Sequence, residues 1–185
     1  MLNDNNIAFL INAMLEQNIW DKEFVLNRND YLNKKGIIDS NLYFIKKGAI
    51  RIYTQDDEIE NTIRFGYKKN IVTAIDSFFS GKASLFYMQA LKQTRICSIS
   101  KSSFKSFIDK QEVYSKAWEL ILEELILQQI DREIDLLISN PRLRYERVLK
   151  RSPQLFQEIP HKYIASYLRM APETLSRLSN LDLNQ

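Results

Sequence analysis

The chain has 185 residues, is 45% hydrophobic and 26% charged, and carries a net charge of +3 with one cysteine and one histidine. That length and apolar content support one good core and a small second one. Cys97 alone excludes an internal disulfide and any all-cysteine metal site within one chain, and a single His161 leaves histidine-rich metal sites unsupported. No apolar run reaches membrane length and the start MLNDNNIAFLINAML has no basic leader, so a cytoplasmic protein without a membrane partner is expected.

Ile7, Leu10, Ile11, Met14 and Leu15 recur at helical spacing and predict an amphipathic helix over Asn6 to Glu16. From about Glu23 the period shortens, with Phe24 and Leu26 alternating with polar neighbours. Leu42-Tyr43-Phe44-Ile45 and Ala49-Ile50-Arg51-Ile52-Tyr53 then form two strands joined by a turn containing Gly48. Further strands are expected at Thr62 to Tyr67, Ile71 to Ala74, Tyr87 to Leu91 and Arg95 to Ser100. Short strands with turns every roughly eight to twelve residues indicate a small antiparallel, jelly-roll-like barrel.

After Ser102 the pattern is helical. Tyr114, Trp118, Ile121, Leu122, Leu125, Ile126, Ile130, Ile134 and Leu137 make one long apolar stripe uninterrupted by Gly or Pro. One side of such a helix packs on the roll, and the other is free to pair with the same helix of a second copy as a short coiled coil, over residues 114–137. A single long core helix in a monomer is the alternative. Asn140-Pro141 and Ser152-Pro153 are cap-plus-first-turn helix starts. The expected division is therefore a roll with its N-terminal helix at 1–109, a long dimerisation helix at 110–139, and an all-α unit at 140–185.

His161 to Asn180, HKYIASYLRMAPETLSRLSN, has the spacing of a helix-turn-helix. Ile164, Leu168, Met170, Leu175 and Leu178 would form the core between two crossing helices, with Ala165 small enough to admit close approach. Arg169 stands where a left-handed turn favours Gly, at a cost of about 1 kcal/mol, and Ala171 stands where Ser or Thr would cap the second helix, a further loss of about 1 kcal/mol. On the outer face, Arg177 has the fork to span guanine O6 and N7 and Glu173 can accept from cytosine N4; Pro172, Thr174 and Ser176 are shorter and suit phosphates or a thymine methyl. The bland alternative is that Glu173 and Arg177 merely pair with each other along the helix. His161, Lys162 and Arg169 complete the candidate contact set.

Residues 141–185 hold eight Lys or Arg against four Asp or Glu, so the basic excess is C-terminal. Arg142, Arg144, Arg147, Lys150, Arg151 and Lys162 are candidates to neutralise phosphates, with a solvated basic face as the alternative for each. Cys97, within Ile96-Cys97-Ser98-Ile99, is read as a small buried residue, with a redox switch as the other option.

Roll, long helix and helix-turn-helix, in that order, resemble the Crp/Fnr family of bacterial transcription regulators over nearly the full length. Gly36, Leu42-Tyr43-Phe44-Ile45 and Gly48 match its cyclic-nucleotide-binding-like signature, and IASYLRMAPETLSRL is similar to its recognition motif, with Pro172, Glu173 and Arg177 on the base-contacting positions. The resemblance implies an α+β fold and a homodimer whose two recognition helices enter successive major grooves of a pseudo-palindromic site. It implies double-stranded DNA as the partner, RNA polymerase as a further partner, and an unidentified small-molecule effector. Pro172 lacks base-reading chemistry, so specificity at that step would be relaxed or shape-based.

The family's cyclic-nucleotide members use a Gly-Glu pair for the ribose and an Arg-Ser or Arg-Thr pair for the cyclic phosphate. Here those pairs fall at Thr73-Ala74 and Ser84-Leu85, so both charged groups are missing and cyclic AMP is not expected to bind. Haem and iron–sulfur cofactors lack ligands in the roll, and no cofactor or metal is expected. An apolar or aromatic ligand in a pocket lined by Thr73, Ala74, Ser84, Leu85, Phe86, Trp118, Leu122 and Leu125, with Phe65, Tyr87 and Met88 near by, is one option; DNA binding without a ligand is the other.

There is no room for a β-hairpin between Pro153 and the motif, which resembles a wingless subgroup with fewer phosphate contacts and a shallower salt dependence. A ligand-binding or protein-interaction module with a decayed helix-turn-helix is the competing reading, favoured by Arg169, Ala171 and the non-basic tail LDLNQ. No catalytic constellation is present in the sequence, so an enzyme is not expected.

Overall fold

The computed structural model describes residues 4–182. An amphipathic helix α1 (Asp4–Glu16) precedes eight strands: β1 (Lys22–Leu26), β2 (Tyr31–Asn33), β3 (Asn41–Lys47), β4 (Ala49–Asp56), β5 (Ile59–Tyr67), β6 (Ile71–Val72), β7 (Tyr87–Ala90) and β8 (Thr94–Ser100), with a short helix α2 (Ile75–Ser80) between β6 and β7. The strands form two antiparallel four-stranded sheets, ordered β1-β8-β3-β6 and β2-β7-β4-β5. Three-residue β2 and six-residue α2 are too short to carry a period, and the sequence pattern missed both.

The turn at Gly48 is a corner and not a hairpin. Strand β3 belongs to the first sheet and β4 to the second, so the chain crosses between sheets within one residue. Gly48 adopts φ +102, and a Cβ there would lie 2.6 Å from the Thr94 Cα. Only glycine fits such an approach.

Pleat alternation explains the unbroken apolar run of β3. Tyr43 and Ile45 face the roll interior with Ile50, Ile52, Val72, Met88 and Ile96, while Leu42 and Phe44 face outward onto α1 and the helices that follow β8. Those helices are α3 (Lys101–Ile108) and α4 (Glu112–Leu137), two elements where the sequence suggested one helical stretch. Tyr114, Ala117 and Ile121 of α4 pack with Phe104, Phe107 and α1 against the outer face of the first sheet. Farther along, Leu120, Leu127, Ile130, Ile134 and Leu137 stay exposed.

The remaining helices are α5 (Pro141–Arg151), α6 (Pro153–Glu158), α7 (His161–Tyr167) and α8 (Pro172–Asp182). Asn140 caps α5 through Oδ1, which accepts from the N–H groups of Arg142 and Leu143, with Pro141 in the first turn. Ser152 makes no such side-chain bond, so at α6 the expected cap is replaced by a tight junction in which the same residue ends α5. The core of these helices is continuous with the second sheet: Ala49 and Leu91 are buried together with Tyr145, Val148, Leu155, Ile159, Ile164, Leu168 and Leu175.

Candidate nucleic-acid interface

Helices α7 and α8 build the helix-turn-helix from the positions its spacing marked out. Ile164, Ala165, Leu168, Leu175 and Leu178 are buried between them, and Met170 is half-buried on the same cluster. Arg169 takes φ +52, the left-handed conformation anticipated at a position without glycine. The turn closes nonetheless, because Met170 N–H donates to the Ala165 carbonyl at 3.1 Å and Arg169 N–H to the Ser166 carbonyl at 3.2 Å. This pair of bonds is a Schellman closure, which satisfies the last carbonyls of α7. Two arginines from outside the motif add to it. Arg144 of α5 donates to the Arg169 carbonyl at 3.1 Å, and Arg132 of α4 donates to the Tyr167 carbonyl while its guanidinium lies 3.7 Å from the Tyr167 ring centroid.

Glu173, Ser176, Arg177 and Pro172 are exposed on one face of α8, where with Asn180 and Leu181 they line a shallow hollow. Among the described residues neither Glu173 nor Arg177 has an ion-pair or hydrogen-bond partner, so the two do not neutralise each other along the helix. Thr174 is half-buried, and His161 and Lys162 are exposed at the start of α7, with the Lys162 ammonium over the Tyr163 ring. Arg169 stands apart from this face, because its side chain donates to Asn61 Oδ1 of β5 at 2.5 Å. Of the tail singled out above, Leu183 to Gln185 lie outside the described residues.

The candidate phosphate contacts divide. Arg147 and Arg151 converge on the fully buried carboxylate of Asp135, and Arg147 also reaches Asp131 at 2.5 Å. Arg144 is buried, its two Nη groups committed to the carbonyls of Ile138 and Arg169. Arg142 pairs with Glu146 one turn along α5. Arg144, Arg147 and Arg151 bracket α4 to α5 and hold the turn, which leaves Arg142, Lys150 and Lys162 facing outward. Asp135 and Arg132 are the residues that sequence reasoning missed, and Arg144, expected at a phosphate, instead serves the carbonyls of Ile138 and Arg169. Asp131 and Asp135, one turn apart on α4 and followed by Arg147 and Arg151 one turn apart on the next helix, were the available signal for Asp135.

The eight residues proposed to line an effector pocket are distributed among different parts of the packed structure. Trp118 packs edge-on against Phe104 in the cluster beneath the first sheet, with its ring centroid 4.9 Å away. Leu122 and Leu125 are half-buried on α4. Phe86 packs into the roll interior, Ala74 is fully buried there, and Leu85 is 62% exposed. Phe65 belongs to the cluster shared with α7. Thr73 donates to the Asn41 carbonyl, and Ser84 is buried with its hydroxyl donating to Asp76 Oδ1 at 2.9 Å. Asp76 also accepts from the N–H groups of Ser77 at 2.8 Å and Leu85 at 2.7 Å. A carboxylate of the chain itself therefore occupies the donors of the Ser84-Leu85 segment.

Cys97 is buried, with its thiol 3.6 Å from Glu23 Oε2, and burial pushes its pKa up against the opposing pull of Lys46. Among the described residues no three of His, Cys, Asp and Glu stand close enough together to hold a metal ion, and no helix is long and apolar enough to cross a membrane.

Residues 23–111 match the cyclic nucleotide-binding domain family. The roll has that domain's fold. Whole-chain likeness extends further. FixK2 from Bradyrhizobium japonicum superposes with a TM-score of 0.70 at 20% identity, covering 88% of this chain and 85% of that one. A CooA variant from Carboxydothermus hydrogenoformans gives 0.73 at 16% identity, over 92% and 82% of the two chains. The catabolite activator protein of Thermus thermophilus gives 0.57 at 17% identity, over 93% and 81%. No curated protein sequence matches the chain significantly. Within this cyclic nucleotide-binding fold, Asp76 of α2 ties down the segment that leads into β7 by accepting from Ser84 and Leu85.

Proposed function

We propose that the chain is a DNA-binding transcription regulator of the Crp/Fnr type, acting as a homodimer on a pseudo-palindromic site. The observation that carries this reading is the outward face of α8, where Glu173 and Arg177 are held on a closed helix-turn-helix with no ion-pair or hydrogen-bond partner among the described residues. Fold likeness to regulators of that type along most of the chain supports it. The exposed stripe of Leu120, Leu127, Ile130, Ile134 and Leu137 repeats at heptad spacing and suits pairing of α4 with α4 of a second copy. Two copies would present two recognition helices to successive major grooves.

The roll acts in this reading without cyclic AMP. An incoming cyclic phosphate would find no arginine at Ser84-Leu85 and would face the Asp76 carboxylate, which already accepts from both residues. Either an unidentified small-molecule effector or DNA binding without a ligand, wingless contact with fewer phosphates, a cytoplasmic location, RNA polymerase as a partner and a non-enzymatic role complete the proposal. Selection of bound sequences from random duplex DNA, followed by gel shift, tests it. A recovered site with two half-sites about one helical turn apart, bound at least tenfold more weakly by Arg177→Ala, is the expected result.

One observation favours the second reading, a protein-interaction module with a decayed helix-turn-helix. Arg144, Arg147 and Arg151 are spent on internal contacts, which reduces the charge available for phosphates. Failure to recover any sequence in the selection, with α8 folded, would decide for that module.

A further inference from the structure

The second sheet ends at β5, whose outer edge presents unpaired backbone groups, and exposed edges of this kind are covered or blunted in stable proteins. Here residues of the helix-turn-helix lie along that edge, and a serine completes part of its backbone bonding. Ser166 Oγ accepts from Thr62 N–H at 3.1 Å and donates to the Glu60 carbonyl at 3.0 Å, filling one rung beside the strand.

Beneath that contact lies Arg51 of β4, only 2% exposed. Its guanidinium is sandwiched between two rings, with centroids 4.3 Å away at Tyr53 of the roll and 4.6 Å away at Tyr163 of α7. Nε donates to Thr62 Oγ1 at 2.8 Å and Nη1 pairs with Glu60. A buried arginine is costly unless its charge and donors are satisfied, and one placed merely to fill space would be better replaced by an apolar residue. Two of its partners, Thr62 and Glu60, are the residues whose backbone Ser166 grips. Arg169 adds its bond to Asn61, between them, and Tyr167 packs on Phe65 with ring centroids 5.7 Å apart.

We propose that Arg51, Ser166 and Arg169 form a clamp that docks the first helix of the helix-turn-helix on the β4–β5 edge and so fixes the direction in which α8 points. The clamp grips α7 while Pro172, Glu173, Ser176 and Arg177 of α8 stay exposed, so it orients that face without covering it. A head held rigidly on each subunit meets its half-site without an ordering cost, which raises affinity through preorganisation. Arg51 is thus a positioning residue that touches no nucleic acid. The second half of the inference rests on the DNA-binding reading; the docking itself does not.

The test uses the full chain and the variants Ser166→Ala, Ser166→Thr and Arg51→Met. Ser166→Ala removes one surface hydroxyl and keeps the fold intact even if Arg51→Met does not. Amide hydrogen exchange is measured at Thr62 and along α7, with β3 and β8 as internal controls. The expected result is at least tenfold faster exchange at Thr62 and in α7 for Ser166→Ala, unchanged controls, and restoration by Ser166→Thr, which keeps the hydroxyl. Affinity for a duplex selected with the wild-type protein should fall roughly tenfold in Ser166→Ala and recover in Ser166→Thr. Unchanged exchange at Thr62 and α7 would overturn the docking, and an affinity that holds or rises once α7 is released would overturn the positioning role. A wild-type chain that binds no duplex refutes the DNA reading and the positioning role together, while exchange still decides the docking.

Discussion

Arg144 donates to the carbonyl of Arg169 across 3.1 Å, so a residue of α5 fastens the left-handed turn of the helix-turn-helix. Its other Nη group caps the Ile138 carbonyl at the end of α4, at 2.9 Å. One buried guanidinium thereby links three segments: the end of α4, α5 and the turn. Arg144→Met keeps the packing volume and removes both donors. Two carbonyls left without partners should cost about 2–4 kcal/mol, measured by urea denaturation. A loss below about 0.5 kcal/mol would mean that water replaces the guanidinium at both carbonyls.

Asp135 is the complementary test of the same region. Its buried carboxylate accepts from Arg147 at 2.8 Å and from both Nη groups of Arg151, whose side chains remain partly exposed. Asp135→Asn keeps the shape and removes the charge. Because the arginines retain some solvent, the expected destabilisation is about 2–3 kcal/mol, below that of a fully buried pair. Equal stability of Asp135→Asn and the parent chain would show that the bracket between α4 and α5 is held by packing alone.

Gly48→Ala addresses the corner between sheets. The added Cβ would lie 2.3 Å from Thr94 Oγ1, 2.6 Å from Thr94 Cα and 2.7 Å from the Gln93 carbonyl oxygen, and the residue would be held at φ +102. Two of those atoms are backbone of the neighbouring strand connection and cannot swing aside. Backbone strain and overpacking together predict a loss of about 2–5 kcal/mol, visible as a large drop in melting temperature. Gly36, with φ +88 and open space around it, should lose only the strain component on the same substitution.

Cys97 gives a pH dependence with a definite sign. Burial raises the thiol pKa in the folded chain. As pH rises through the ordinary thiol range near about 8.5, the unfolded chain ionises first, so the stability this group contributes at neutral pH is lost progressively in alkali. Alkylation should be slow in the native protein and rapid after denaturation. Native labelling at the rate of a free thiol would restore the redox-switch reading.

How much of this was legible beforehand differs between elements. The helix-turn-helix core could be read from spacing alone, because Ile164, Leu168, Leu175 and Leu178 sit at fixed helical offsets that tertiary context does not alter. Strand positions were legible, but sheet membership was not: nothing local distinguishes a hairpin at Gly48 from a corner. Arg51 was invisible because an arginine between Ile50 and Ile52 alternates as a solvent-facing residue should, and only the docking of α7 buries that face. Arg144, Arg147 and Arg151 had their charge counted correctly, but their partners lie across the α4–α5 and α7–α8 turns, and only the packing of these helices brings them together. Trp118 and Phe86 read as a shared lining, yet they face different clusters on opposite sides of the first sheet.

The exposed seam of α4 yields the prediction on which the dimer depends. Leu120, Leu127 and Ile134 share one heptad position and Ile130 and Leu137 another, and Leu127 and Leu137 are 63% and 79% exposed. A leucine so open contributes little to the fold of one chain, so Leu127→Lys should leave melting of the monomeric unit nearly unchanged. In a dimer it would bury two like charges at the centre of the seam, which is strongly unfavourable. Sedimentation should therefore show the parent chain as a dimer at micromolar concentration and Leu127→Lys as a monomer. DNA affinity should fall in parallel, because each head then binds its half-site alone and loses the effective concentration supplied by its twin. A parent chain that sediments as a monomer, or a Leu127→Lys dimer that still binds its site, would move the interface away from α4.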